Sequence, residues 1–211
     1  MRIVAISDTH GYHDKIALPK GDVLIHSGDM CDLVCGTPTT TAEQIKSLDR
    51  WFEKQDFKKI ICVPGNHDKA IEMGHLRRLH NAVILIDEHY EYEGVKFFGS
   101  PWTPPFFGAF GKSEKDVEKV YDRIYDNVDV MITHGPPKGI LDMTAYGESI
   151  GSKALLKAVE RVKPKLHVFG HVHYSYGKYF DLITTFYNAS LAGFSISDVD
   201  KKPPLVFELG E

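Results

Sequence analysis

Ile60-Ile61-Cys62-Val63-Pro64-Gly65-Asn66-His67-Asp68 decides the fold: an apolar β-forming run leads straight into a turn bearing an amide, an imidazole and a carboxylate. A continuously apolar run, without polar alternation, predicts a strand covered on both faces. In sheets flanked by helices, ligands collect in the crevice beyond the carboxyl ends of such strands. The same order recurs outward along the chain. Asp8-Thr9-His10 follows Ile3-Val4-Ala5-Ile6, and Gly28-Asp29 follows Val23-Leu24-Ile25. His134-Gly135 follows Val130-Met131-Ile132, and Gly170-His171-Val172-His173 follows Leu166-His167-Val168-Phe169. One such cluster would be an ordinary polar turn, but five of one polarity point to a metal site.

Apolar runs near 3–7, 22–27, 59–63, 82–86, 95–99, 128–133, 165–169, 183–187 and 205–209 predict nine strands. Helices alternate with them. One is expected over 41–55, opened by a capping box at Thr41-x-x-Gln44, with Ile45, Leu48 and Phe52 on one face. Others are expected over 113–125, with Val117, Val120, Tyr121 and Ile124 aligned, and over 152–162, ended by Pro164. The runs 82–86 and 95–99, and likewise 183–187 and 205–209, have no helix between them and call for antiparallel pairing, so the sheets should be mixed. Nine strands exceed what one open sheet needs, which favours two sheets packed face to face with helices outside. The class is α/β, with one domain over 1–211 and no internal repeat. The stretch 35–41, Cys-Gly-Thr-Pro-Thr-Thr-Thr, reads as a mobile loop.

The 211 residues are 43% hydrophobic and carry a formal charge of −4, which two divalent cations would bring to zero. No basic coat suited to long nucleic acid is present. Cys31, Cys35 and Cys62 are an odd number without Cys-x-x-Cys, which disfavours a disulfide framework and suggests a reducing compartment. The first residues run directly into a strand, and no apolar run approaches a membrane span. A cytoplasmic protein is the expectation.

Asp8 and Asp29 offer carboxylates, Asn66 an amide oxygen, and His10, His134, His171 and His173 imidazoles. Seven donors are too many for one ion and suggest two, spaced to clamp the attacking and leaving oxygens of a phosphoryl centre. The nitrogen and oxygen mixture without thiolate suits manganese, iron, zinc or nickel better than calcium. A bridging water between two such ions would lose a proton near neutral pH and serve as nucleophile.

The order Asp-x-His, Gly-Asp, Gly-Asn-His-Asp, Thr-His-Gly and Gly-His-x-His, from Asp8 to His173, resembles the calcineurin-like metallophosphoesterase superfamily. The stretches Gly99-Ser100-Pro101-Trp102-Thr103-Pro104, Thr133-His134-Gly135-Pro136-Pro137, Lys165 to His171, and Tyr187-Asn188-Ala189-Ser190 resemble its metallophosphoesterase-domain-containing subgroup, which includes relatives of class III cyclic nucleotide phosphodiesterases. The resemblance implies a four-layer α/β/β/α sandwich of two mixed sheets. It implies one metal on Asp8, His10 and His173, another on Asn66, His134 and His171, and Asp29 between them. His67 would contact the phosphate and protonate the leaving oxygen, oriented by Asp68, so that His67, Asp68 and Asn66 form the catalytic group. Manganese heads the expected metals, with iron, zinc, nickel or magnesium as alternatives.

Several residues admit a plainer account. His26 and His167 lie within strands and are read as core or supporting histidines, His13 as solvent-facing, and His75, His80 and His89 as surface. Cys31 is read as a small buried residue, and Lys138 as an exposed lysine or a phosphate contact. The stretch 101–111, rich in Pro, Gly and aromatic residues, is either a rigid cover for the core or a wall where Trp102, Phe106, Phe107 or Phe110 meets a base or aryl group. Trp102, Phe107 and Asn188 are the candidate substrate contacts, with a turn or cap the simpler account of Asn188. The expected activity is that of a dinuclear phosphohydrolase, foremost a phosphodiesterase on cyclic nucleotides or aryl phosphodiesters, by attack of a metal-bridging hydroxide. The expected partner is a small phosphodiester or nucleotide, with neither membrane nor long nucleic acid. The alternatives are a phosphomonoesterase or protein phosphatase, and a metal-binding scaffold like the retromer subunit of this fold.

Overall fold

Strands β1 (Arg2–Ile6), β2 (Val23–His26) and β3 (Lys59–Cys62) are the apolar runs before the first three ligand clusters, and they pair in parallel in chain order. The computed structural model describes residues 1–32, 38–76, 78–105, 107–193 and 195–210. A two-residue β4 (Val83–Ile84) extends β3, and a C-terminal strand, Leu205–Glu208, runs antiparallel to β1 on the other edge. The second sheet lies between antiparallel edges β5 (Glu88–Tyr92) and β9 (Gly177–Phe180). Its interior strands are β6 (Val95–Ser100), β7 (Val130–Thr133), β8 (Leu166–Phe169) and β10 (Thr185–Asn188), all parallel. The C-terminal strand Leu205–Glu208 is β11.

Both faces of each sheet are apolar because both are covered. Ile3, Ala5, Val23, Ile25 and Ile61 meet Phe97, Val130, Ile132 and Val168 in the layer between the sheets. The alternate residues Val4, Ile6, Leu24 and Cys62 pack on Ile45, Leu48 and Phe52 of α1 (Pro38–Phe52). On the far side, Phe98, Met131, Phe169 and Phe186 pack on Val117 and Tyr121 of α3 (Glu114–Tyr121) and on Leu155 and Val159 of α4 (Lys153–Val162). A one-turn α2 (Lys69–Glu72) follows the Asn66 cluster. Each large side chain buried this way stabilises the fold by roughly 1.5–3 kcal/mol. The result is the four-layer α/β/β/α sandwich of two mixed sheets. Among the described residues no helix is long and apolar enough to cross a membrane.

Boundaries and pairings differ from the sequence expectation in ways with local causes. Helix α1 begins at Pro38, so 38–41 of the expected mobile loop is its first turn, whereas 35–37 lie outside the described residues. Thr41 is therefore inside the helix, and the Gln44 Oε1 accepts from the Asp32 backbone N–H at 3.0 Å instead of completing a capping box. Serine caps open the other two helices: Ser113 accepts from the Asp116 N–H, and Ser152 from the Leu155 N–H. The runs 82–86 and 95–99 do not pair with each other, because β5 intervenes and turns into β6 through Glu93 and Gly94, both at positive φ. Likewise β10 pairs with β9, and β11 returns to β1. The two strands beyond the expected nine were hidden because their side chains are largely exposed and polar or mixed, unlike the interior runs.

Candidate metal centre

The carboxyl ends of both sheets meet at one edge. Ser7, just past β1, bridges Ser190, just past β10, and the Leu191 N–H donates to the Ser7 carbonyl at 3.0 Å. Loops within each sheet are laced together: the Asp8 N–H donates to the Gly28 carbonyl at 2.8 Å, His10 to Asp29 at 3.1 Å, and Gly170 to His134 at 3.0 Å. Asp8, His10, Asp29 and His171 hold φ of 54°, 45°, 54° and 67°, a region costly for non-glycine residues. Such strain, roughly 1–3 kcal/mol per residue, persists only where the surroundings over-determine it, and it accumulates at functional sites. Two glycines make the approach possible. A Cβ at Gly65 would lie 2.3 Å from Asp29 Oδ1, and one at Gly170 would lie 2.1 Å from Asp8 Oδ2.

The seven expected ligands converge. Asp8, His10 and His173 form one set of donor atoms, and Asp29, His134 and His171 another, each set lying within 4.8 Å. Asn66 joins the second, its Oδ1 lying 3.0 Å from His134 Nε2 and 2.9 Å from His171 Nδ1. Asp29 stands between the two sets, with Oδ1 3.3 Å from His134 Nε2 and Oδ2 4.0 Å from His10 Nε2. His10 Nδ1 lies 3.0 Å from the Cys31 carbonyl and His134 Nδ1 2.9 Å from the Ser27 carbonyl. A carbonyl accepts only, so each Nδ1 carries the proton and each Nε2 of the neutral ring presents a lone pair. The His134 lone pair points at other acceptors, Asn66 Oδ1 at 3.0 Å and Asp29 Oδ1 at 3.3 Å, while that of His10 points at the His173 ring nitrogen Nε2, 3.2 Å away. Acceptors turned toward one another repel unless a cation lies among them, which is the test that a metal-binding set passes.

Titration in the protein alone follows the same electrostatics. Burial pushes the Asp8 carboxyl up, but the hydrogen bond and charge of His173, with the charge of His134, outweigh it and leave the group below the usual carboxylate range. Burial acts likewise on Asp29, which His134, His67 and His10 nevertheless draw well below that range. Burial would lower His134, yet the Asp29 charge and hydrogen bond raise it to about 9, so a proton takes the cation's place there. His171, desolvated and beside His134, falls to about 4.

His67 and Asp68 do not form the expected pair. The Asp68 carboxylate accepts backbone N–H groups from Met30 and Cys31 on one oxygen, at 3.0 and 3.1 Å, and from Gly65 on the other at 2.7 Å. It ties the loop after β2 to the loop after β3, and burial with the Asp29 charge pushes it up to about 6. His67 Nδ1 is buried with no partner. The ring is set instead by edge contact with His10 at 4.6 Å, and the His67 N–H donates to Asp29 Oδ1 at 2.9 Å. Its Nε2 lies 3.8 Å from Asp29 Oδ2.

The candidate substrate contacts are placed otherwise than expected. The Trp102 indole N–H is directed at both Asp87 carboxylate oxygens, at 2.8 and 2.9 Å, and its ring is covered by Lys112. Trp102 thus anchors the 101–111 loop. Phe107 is 63% exposed, and its carbonyl accepts from Asn66 Nδ2 at 3.4 Å while the Asn66 carbonyl accepts from Ala109 N–H at 2.7 Å. This loop grips the Asn66 amide, which turns Oδ1 toward the histidines. Phe110 is buried, and Phe106 lies outside the described residues. Asn188 is fully buried; its Nδ2 donates to the Leu141 and Val172 carbonyls and its Oδ1 accepts from Ser190, so it braces the turn between His171 and His173. Lys138 donates to the Ser149 carbonyl.

His26 and His167 are fully buried and meet Thr9 and Thr133 hydroxyls at 3.0 and 2.9 Å, as supporting histidines should. Their burial lowers both to about 3. His13 is buried beside Trp51 rather than solvent-facing, because the short turn at 13–15 folds it under α1. His75, His80 and His89 are exposed and Cys31 is buried, as expected. Sequence reasoning missed Lys202, whose ammonium donates to the carbonyls of His173, Ser190 and Ala192. It follows no strand of the site, and a lysine before two prolines gives no local signal.

The family model for calcineurin-like phosphoesterase matches residues 1–175. Human metallophosphoesterase domain-containing protein 1 is 33% identical over 239 aligned positions, covering 99% of this chain and 71% of that protein. A UPF0046 protein of Caenorhabditis elegans is 34% identical, covering 99% of this chain and 81% of that protein. Among solved structures, the phosphopantetheinyl hydrolase PptH of Mycobacterium tuberculosis superposes with a TM-score of 0.65 at 18% identity, covering 95% of this chain and 92% of that one, which shows a shared fold.

Proposed function

The chain belongs to the calcineurin-like phosphoesterase family, whose members are metal-dependent phosphoester hydrolases, and we propose that within it the protein acts on small phosphodiesters such as cyclic nucleotides or aryl diesters. The observation that carries the reading is the convergence of Asp8, His10, His173, Asp29, Asn66, His134 and His171 with their lone pairs turned inward. Two divalent cations held there, manganese foremost, would supply Lewis acidity toward the phosphoryl oxygens and lower the pKa of water. The chain's own part is to hold the phosphorus between these ligands and His67. The His67 side chain is 15% exposed, so the ring edge reaches the open side of the site. In this reading His67 binds a phosphoryl oxygen and gives a proton to the leaving alkoxide, while Asp29 and His10 fix its direction. A diester is favoured over a monoester because a cleft of about 830 Å³ opens beside His171 and His173, with room for a second ester substituent.

The test is a hydrolysis panel after chelator treatment, with manganese, magnesium, nickel and zinc restored in turn. Bis(p-nitrophenyl) phosphate and cyclic nucleotides should turn over faster than p-nitrophenyl phosphate, best with manganese; preference for the monoester would overturn the diester assignment. His67→Ala should lower kcat by about 10²-fold or more with metal content unchanged, since that is the usual contribution of a positioned acid.

A further inference from the structure

Beside His171 and His173 the surface opens into a cleft of about 830 Å³. Pro104, Pro105, Ile150, Val172, Tyr146 and Tyr174 line it, and its charged members are Glu148 and Lys202. Tyr174 directly follows His173 and is 75% exposed, whereas Tyr146 is 93% exposed. Tyr146 is held at the tip of a small hairpin in which Met143 bridges Ser149 and the Thr144 N–H donates to the Glu148 carbonyl at 2.8 Å. Ser175 Oγ donates to the Met143 carbonyl at 2.7 Å, so the two tyrosine-bearing segments are tied to each other.

We propose that this cleft receives the ester substituent of the substrate, and that Tyr146 and Tyr174 select a planar, uncharged one. The proposal rests on the phosphoester reading of the adjacent metal centre. Exposed tyrosine faces leave apolar area in water that a flat ring would cover, and base or aryl stacking on such a face is tolerant of ring identity. Tyrosine has few rotatable bonds, so little freedom is lost when the ring is covered. Charge in the substituent is disfavoured by what surrounds it. Lys202 directs its ammonium at the His173, Ser190 and Ala192 carbonyls, and Glu148 would repel a second anionic group. The prolines and Ile150 supply no hydrogen bond donor to replace water around an anion. The tyrosine wall therefore lies on the His171–His173 side, where Pro104 and Pro105 of the 101–111 loop join it, and Trp102 takes no part in it.

Calorimetry on the manganese-loaded protein with phosphonates, each used as its monomethyl ester so that it carries the single phosphoryl charge of a diester, separates binding from turnover. Phenylphosphonate should bind about tenfold tighter than methylphosphonate, and 4-carboxyphenylphosphonate several-fold weaker than phenylphosphonate. Y146A/Y174A should bring phenylphosphonate to the methylphosphonate level, and Y146F/Y174F should keep the tenfold preference. An unchanged preference in Y146A/Y174A would overturn the assignment of the tyrosines, and equal or tighter binding of the carboxyphenyl compound would overturn the selection against charge. If the wild type shows the phenyl preference but hydrolyses no ester, the cleft assignment stands and the catalytic reading of the centre fails. If it hydrolyses diesters while binding both parent phosphonates equally, the cleft assignment fails and the catalytic reading stands.

Discussion

The floor of the site and its rim obey different rules. On the floor, Asp8, Asp29, Asn66 and His134 are buried, four ligands take left-handed backbone conformations, and carbonyls fix the tautomers of His10 and His134. At the rim, Tyr146 and Tyr174 stand in solvent on a hairpin tip and a short helical turn. The difference teaches where rigidity is placed: atoms that must converge on a cation within a few tenths of an ångström are built on strand ends, and the surface that meets a variable substituent is left on loops.

The strongest way to break this contrast is Asp29→Ala, which removes the carboxylate standing between the two donor sets, the one that two bound cations would share. Metal content should fall at both positions, and turnover should fall by more than the roughly 10–100-fold typical of residues that merely orient ligands; a fully loaded, active variant by elemental analysis and diester assay would refute the shared carboxylate. Asp68→Ala sharpens it from the structural side. It strands three buried N–H groups, of Met30, Cys31 and Gly65, so unfolding free energy in urea should drop by about 3 kcal/mol or more, and the variant's residual activity should keep the wild-type pH profile. A displaced pH profile at unchanged stability would restore the His67–Asp68 pair.

Lys202→Met tests whether the rim supports the floor. Losing the donor to the His173 carbonyl should weaken metal affinity by about tenfold in a competition titration while KM for a small diester stays within twofold. The smallest effect belongs to Trp102→Phe. Loss of the hydrogen bonds to Asp87 should cost about 1.5 kcal/mol and lower Tm by a few degrees, with KM for nucleotide and small aryl substrates alike unchanged. A selective rise in KM for nucleotides would return the aromatic wall to the Trp102 loop.

Legibility followed the same division. The position of Asn66 could be read from the strand before it, because strand register fixes where the next residue emerges. The four-layer architecture was legible for a similar reason: uninterrupted apolar runs such as Ile60 to Val63 must be covered on both sides. Strands β5 and β9, with their largely exposed side chains, carried no such signal. Trp102 and Asn188 illustrate the limit at the site itself. Both lie in motif-like stretches close to ligands, yet their polar atoms are taken by Asp87 and by the Leu141 and Val172 carbonyls, partners 15 to 47 residues away. Asp68 is the same case: next to His67 in sequence, it is bonded to a loop 37 and 38 residues earlier.

By itself the sequence determined which donors make up the floor, since clusters of Asp, Asn and His directly behind buried strands emerge at the strand ends. Only the tertiary structure decided the rest: which ring nitrogen of His10 and of His134 carries the proton, that Asp68 is a knot between loops, and that Tyr146 and Tyr174 line one cleft beside His171 and His173. Those outcomes depend on hydrogen bonds and clefts formed between segments remote in the chain, and the closing of two sheets against each other sets them in place.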